Sequence, residues 1–266
     1  MIRLAQPDER DVARSVAERL DAFLARLAAN LPGLLGGYLD LARDRLDVAK
    51  GSLRAPWGGP FNGQSVRREM VEELFQQYGF RFVIETGTFR GTTTLYLAKV
   101  FAVPVVTVEA SKRFYVYARS RLKGSTGIRL IPGNSRAVLR RLTEEDGVTD
   151  KLTFFYLDAH WNDDLPLWDE LEIISTHWKR SVVLIDDFQI PGDEGYGFDD
   201  YGPGKKLAVE NLPAKVLKTH RAYFPTAPST AETGARRGAT VLVSKALDDP
   251  GTRTLANARF RRGSAP

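Results

Sequence analysis

Apolar residues recur at two different periods along this chain, and the change of period divides it. From Asp8 to Asn30, Val12, Val16, Leu20, Phe23, Leu24 and Leu27 follow mostly at steps of three and four. That spacing puts them on one face of an amphipathic helix. A second helical piece is predicted over roughly Leu34 to Val48, after Pro32-Gly33. Gly51 to Gly63 is then rich in glycine and proline with Trp57 and Phe61 embedded, and reads as a linker or a loop over a site. The N-terminal helices are expected to pack on the main domain, with a dimer contact or a lid as the alternative.

After a helix over Ser65 to Tyr78 the pattern becomes short apolar runs. RFVIETG, VPVVTVEA, IRLIPGN, LTFFYLDA and SVVLIDDF begin at Arg81, Val103, Ile128, Leu152 and Ser181, 22 to 29 residues apart. These intervals are too long for hairpins and suit strand, helix, strand units with right-handed crossovers. The runs are almost continuously apolar, as in a parallel sheet covered on both faces. Beyond Gly204 the reading is a helix around Lys205 to Leu212, a strand near His220 to Phe224 and a strand GATVLVSK from Gly238, the last two an antiparallel pair at the sheet edge. The expected architecture is therefore α/β, a doubly wound and mostly parallel seven-stranded sheet with an antiparallel edge strand and an added N-terminal helical segment. The divisions are 1–50, a helical segment; 51–64, the linker or loop; 65–245, the sheet domain; and 246–266, a C-terminal tail.

Composition narrows the classes. A chain of 266 residues exceeds ~150 per domain, yet with 43% hydrophobic and 27% charged residues it reads as one α/β globule with an added segment. Zero Cys excludes a disulfide framework, a Cys-ligated metal and a thiol nucleophile. The start, MIRLAQPDERD, is charged and lacks the apolar stretch of a secretory signal, and no long apolar run follows. A soluble cytoplasmic protein is expected, with no membrane partner. Lys and Arg outnumber Asp and Glu by 38 to 33, but they are spread along the chain, which argues against nucleic acid as partner.

Ligands of an open parallel sheet bind beyond the carboxyl ends of its strands, and these ends are acidic here. The first closes Glu85-Thr86-Gly87-Thr88-Phe89-Arg90-Gly91-Thr92. Its two glycines let the chain turn sharply and approach a ligand, and the helix that follows offers free N–H groups. The pattern is neither GxGxxG nor a P-loop. The second strand ends in Glu109, placed to accept hydrogen bonds from a ribose diol; the third ends Gly133-Asn134-Ser135, a polar turn suited to an adenine edge. The series resembles the Rossmann-like class I S-adenosylmethionine-dependent methyltransferases, with their E/DxGxxxG first motif and acid-ended second strand. The resemblance covers about Ser65 to Lys245. It implies that Glu85 and Gly87 lie near the methionine part of S-adenosylmethionine, Glu109 at the ribose, Asn134 and Ser135 near the adenine, with Thr88, Gly91, Thr92 and Asp158 also at the cofactor.

The fourth and fifth strands end Asp158-Ala159-His160-Trp161 and Asp186-Asp187-Phe188. Three carboxylates from neighbouring strand ends would repel one another unless a cation lay between them, and a hard divalent ion, Mg²⁺ or Mn²⁺, is the expected occupant. The alternative is that these acids face water or pair with local Arg and Lys. This arrangement is similar to the metal-dependent O-methyltransferases of the catechol and macrocin type, with the cephalosporin hydroxylase group related in fold. By that likeness Asp158, Asp186 and Asp187 hold the metal, and the base follows Asp158 by a few residues. Trp161 stands where catechol enzymes carry a Lys, so His160 is the candidate catalytic base. The segment QIPGDEGYGFDDYGPGKK reads as a lid whose aromatics stack on a sugar or ring, or else as a disordered acidic loop.

The implied activity is O-methylation of a small polyhydroxylated acceptor, a sugar, glycosylated natural product or phenol, with a homodimer through the N-terminal helices conceivable. The rivals are a metal-independent methyltransferase acting on RNA or protein, a non-catalytic cofactor-binding module, and an NAD-dependent oxidoreductase. The last predicts a GxGxxG that is absent; the amino-group methyltransferases predict an Asn/Asp-Pro-Pro-aromatic motif, also absent.

Overall fold

A computed structural model describes residues 59–160, 164–247, 255 and 259–263. The predicted N-terminal helices, their dimer contact, and Trp161 lie outside these residues. The elements run α1 (Ser65–Tyr78), β1 (Phe82–Thr86), α2 (Thr92–Phe101), β2 (Val105–Glu109), α3 (Lys112–Arg121), β3 (Ile128–Pro132), α4 (Ser135–Thr143), β4 (Thr153–Leu157), α5 (Leu167–His177), β5 (Ser181–Asp186), α6 (Ala214–Thr219), β6 (His220–Pro225), β7 (Ala239–Ser244) and β8 (Phe260–Arg262). They build one sheet of order β3-β2-β1-β4-β5-β7-β6-β8. Strands β1 to β5 pair in parallel, and β7 enters antiparallel between β5 and β6. This is a Rossmann-like, doubly wound α/β fold.

Alternation along each strand divides the core into two layers. Phe82, Ile84, Phe155, Leu157, Val183 and Ile185 face α4 and α5, while Val83, Phe154, Tyr156, Val182 and Leu184 face α1 and Leu97 of α2. Both faces of β1, β4 and β5 are thereby covered, which is why their sequences carry no period of two. The apolar face of α1 is Met70, Val71, Leu74, Phe75 and Tyr78. Its first turn is closed by a residue far along the chain, since the Glu232 carboxylate accepts from the backbone N–H groups of Val66 (3.0 Å) and Arg67 (3.1 Å). That acid also suits the positive end of the helix dipole.

Two details differ from the sequence-based expectation. The sheet has eight strands, because Phe260–Arg262 pairs antiparallel with the free edge of β6; three residues are too few to show a period. The helix expected over Lys205 to Leu212 forms instead at Ala214–Thr219, where Pro213 supplies its N-cap. His220, at the start of β6, is buried between the hydroxyls of Ser181 (3.0 Å) and Thr219 (2.9 Å), and burial pushes its pKa down to about 4.

The strand order places a topological switch between β1 and β4, where the connections diverge and a crevice opens at the carboxyl ends. Among the described residues no helix is long and apolar enough to cross a membrane.

Candidate functional site

A cavity lies at this switch point, bordered by Glu85, Gly87, Arg90, Thr92, Tyr156 and Asp158, with Gly59 and Asn62 of the segment before α1 on its other side. The end of the segment read as a linker or loop thus reaches a site wall. Gly87 is required twice over: its φ is +87°, and a Cβ there would collide with the carbonyl of Asp158. Its glycine therefore lets β1 and β4 close together beneath the cavity. Gly91, at φ +69°, is the N-cap of α2.

Glu85 is buried at the cavity floor, accepting hydrogen bonds from the hydroxyls of Thr94 and Thr107. Because Thr107 donates to Glu85, Thr88 must donate to Thr107 across their 2.6 Å contact. Burial outweighs these bonds and raises the Glu85 pKa to about 7. A carboxyl raised in the folded state binds more protons than its unfolded counterpart between about pH 4.5 and 7, so its contribution to stability is full below that window and is lost as pH rises through it. At roughly 1.4 kcal/mol per pH unit this is on the order of 3 kcal/mol. Denaturant melts across this range should show Glu85→Gln with a flatter pH dependence than wild type; equal slopes would mean that Glu85 is ionised throughout.

Glu109 closes β2 with its carboxylate on backbone donors, Phe89 N–H at 2.6 Å and Ser111 N–H at 2.8 Å. Phe89 takes a left-handed φ of 49°, uncommon for a residue with a bulky side chain, and its N–H is thereby aimed at Glu109. This acid locks the loop after β1 to the end of β2. Asn134 is the N-cap of α4, its side-chain oxygen accepting from Arg136 N–H at 3.0 Å, and Ser135 is buried in the first turn. Glu109, Asn134 and Ser135 therefore stand at neighbouring strand ends, beside the cavity rather than on its wall.

Asp158 and Asp186 flank the Tyr156 hydroxyl, at 3.3 and 2.5 Å, but Asp186 is not among the donor atoms that converge within 4.8 Å. Asp186 is fully buried and turned toward α1, where it pairs with the Arg67 guanidinium and accepts from Tyr156 Oη (2.5 Å) and Asp187 N–H (2.9 Å). Burial would raise its pKa, but the Arg67 charge and these hydrogen bonds hold it below the usual range. Asp187 turns the other way at a left-handed φ of 52°. Its Oδ1 accepts from Arg237 Nε at 2.6 Å, and Arg237 also pairs with Asp199. Pairing with arginine is thus what Asp186 does.

What does converge is Asp158, His160 and Asp187, each offering one atom within 4.8 Å of the others. The His160 side chain is 1% exposed; among the described residues its Nε2 has no hydrogen-bond partner, and it lies 3.8 Å from Asp187 Oδ2. Asp158 lies 3.3 Å from the Tyr156 Oη whose proton goes to Asp186. Burial and the charges of Asp186, Asp187 and Glu85 hold its carboxyl well above the ordinary range. These groups can accept a proton or ligate a cation, and Asp158 joins them to the cavity floor.

Sequence reasoning missed Arg67, Arg237, Tyr156 and Asp199. Arg67 had left a signal: it stands three and four residues before Met70 and Val71, on the apolar face of α1, where a guanidinium needs a buried acid. Arg237 carries no such mark. The segment after β5 is sewn down by Asp199 N–H to Asp187 (2.9 Å) and Gly238 N–H to Gly197 (2.7 Å), so it is not a disordered loop. Of its aromatics, Tyr196 is buried, and Tyr201 donates to Asp199 (2.5 Å), with its hydroxyl oxygen 3.1 Å from the His160 carbonyl.

No protein-family model matches the chain, and no curated protein matches it in sequence. Among solved structures it is similar to a candidate caffeoyl-CoA O-methyltransferase from Staphylococcus aureus, at 14% identity over 76% of this chain and 91% of that one, with a TM-score of 0.49. A candidate O-methyltransferase from Klebsiella pneumoniae aligns at 16% identity over 85% and 96%, TM-score 0.48. An O-methyltransferase from Bacillus cereus in complex with SAH aligns at 18% over 85% and 97%, TM-score 0.46. The fold assignment rests on this chain's own strand order, and its chemistry on the residues just described.

Proposed function

We propose that this chain is an S-adenosylmethionine-dependent O-methyltransferase acting on a hydroxyl of a small polyhydroxylated acceptor, a sugar, a glycosylated natural product or a phenol. The observation that carries this reading is the convergence, at the carboxyl ends of the central strands, of a cavity floored by Glu85 and Gly87 with the Asp158, His160 and Asp187 group. The cofactor supplies an activated methyl group, so the protein has only to orient the acceptor oxygen and take its proton. The oxygen displaces the sulfur in line, the carbon–sulfur electron pair stays on sulfur, and the proton passes to the unengaged Nε2 of His160. Were a divalent ion held by Asp158 and Asp187 and bonded to that Nε2, its Lewis acidity toward the acceptor hydroxyl would act in place of His160 as base. The acids around His160 favour a neutral polyol over an RNA backbone, whose phosphates they would repel.

Calorimetry with S-adenosylmethionine, SAH and NAD tests the reading: the first two should bind and NAD should not, and the reverse result would overturn it. Glu109→Ala should weaken SAH binding by about 1–3 kcal/mol through loss of a charge-assisted hydrogen bond to the ribose. Unchanged affinity with lowered stability would confine Glu109 to its clamp on Phe89 and Ser111.

A further inference from the structure

We propose that Asp158, His160 and Asp187 form a mixed nitrogen and oxygen site for a first-row transition ion of the Mn²⁺, Co²⁺ or Zn²⁺ kind, and that Asp186 takes no part in it. The inference goes beyond the proposed reaction, because the site is defined by this chain's own donors. Three observations carry it. One donor atom from each side chain lies within 4.8 Å of the other two, and ligands at about 2.1 Å from a shared ion stand roughly 3 to 4 Å apart. The His160 Nε2 is buried without a hydrogen-bond partner, 3.8 Å from Asp187 Oδ2; that gap is too long for a hydrogen bond, and an unpaired buried nitrogen is costly. The remaining lone pairs nearby are already committed. Asp186 is held by Arg67, Tyr156 and a backbone N–H, and Arg237 takes Asp187 Oδ1, leaving Oδ2 toward His160.

The donor set is one imidazole nitrogen and two carboxylate oxygens, which leaves further positions open on the ion. Imidazole favours Mn²⁺, Co²⁺ and Zn²⁺ over Mg²⁺ and Ca²⁺, which prefer oxygen alone. The affinity order expected is Mg²⁺ weakest, then Mn²⁺, then Co²⁺ and Zn²⁺. Such an ion takes the Nε2 lone pair, so the ion-loaded and ion-free proteins differ in whether His160 can accept a proton.

The test uses the full chain, stripped of metal, with neither cofactor nor acceptor present, so its outcome is independent of the proposed methyl transfer. Equilibrium dialysis should give one equivalent of Co²⁺ per chain, with visible ligand-field bands, and Mg²⁺ should not compete at equal concentration. His160→Ala and Asp158→Asn should each weaken Co²⁺ binding at least tenfold, whereas Asp186→Asn should change it less than threefold. Should Asp186→Asn fail to fold, the double variant Arg67→Met with Asp186→Leu, which removes both buried charges, takes its place. Absence of stoichiometric Co²⁺, Mn²⁺ and Zn²⁺ binding would overturn the proposal. Binding that survives His160→Ala and is lost with Asp186 would overturn it in favour of the three-carboxylate set.

Discussion

Arg67→Ala should destabilise the protein by about 3–5 kcal/mol, the usual cost of removing one partner of a buried ion pair. The pair is Arg67 with Asp186, at 2% and 0% side-chain exposure. The guanidinium also donates to the Arg237 carbonyl at 2.6 Å. Without it Asp186 is left as an uncompensated charge in the interior, and Tyr156 Oη, at 2.5 Å, cannot neutralise it. The sign with pH follows from Asp186 being held below its ordinary range in wild type. Its pairing contributes stability above the unfolded carboxyl pKa and loses it as pH falls through the lower folded value. The deficit of Arg67→Ala should therefore shrink in acid, where the variant's Asp186 takes up a proton. Denaturant melts at several pH values measure this. Arg67→Met with Asp186→Leu should recover most of the loss, since a buried pair replaced by apolar side chains is often neutral in stability. A deficit under 1 kcal/mol for Arg67→Ala would mean that water reaches Asp186.

His160→Ala should lower turnover by about 10² to 10⁴-fold while leaving SAH affinity nearly unchanged, the usual contribution of a positioned acid–base group. The residue combines a 1% exposed side chain with an unpartnered Nε2, and on the proposed function it is the nitrogen that takes the acceptor proton. Turnover should be expressed per cofactor-binding site, against a panel of sugars and phenols, in the presence of chelator so that Nε2 carries no ion. A merely structural histidine predicts a smaller folded fraction with normal turnover per site. An unchanged value would remove His160 from the chemistry.

Much of the fold was legible because the five apolar runs from Arg81 to Phe188 are local signals. Each is long enough to span a sheet, and the intervals admit only a crossover helix, so β1 to β5 form where the pattern places them. Gly87 was legible in the same way, since a sharp strand-to-helix turn announces itself in residue type. Phe260–Arg262 was not: three residues become a strand only because β6 presents an open edge. The pair Asp186-Asp187 shows the same limit at the site. Neighbours in sequence and alike in chemistry, they part at the end of β5, Asp186 going to Arg67, 119 residues away, and Asp187 to Arg237, 50 residues away.

By itself, then, the sequence determined the alternation of strands and helices, the polar character of the strand ends and the residue types gathered there, because these depend on spacing along a few turns of chain. Only the tertiary structure decided which arginine each carboxylate meets and which of the two also faces His160. That choice depends on charges brought together from α1, β4, β5 and the segment before β7, and an ionised group in a low-dielectric interior is governed by its spatial neighbours rather than its sequence neighbours.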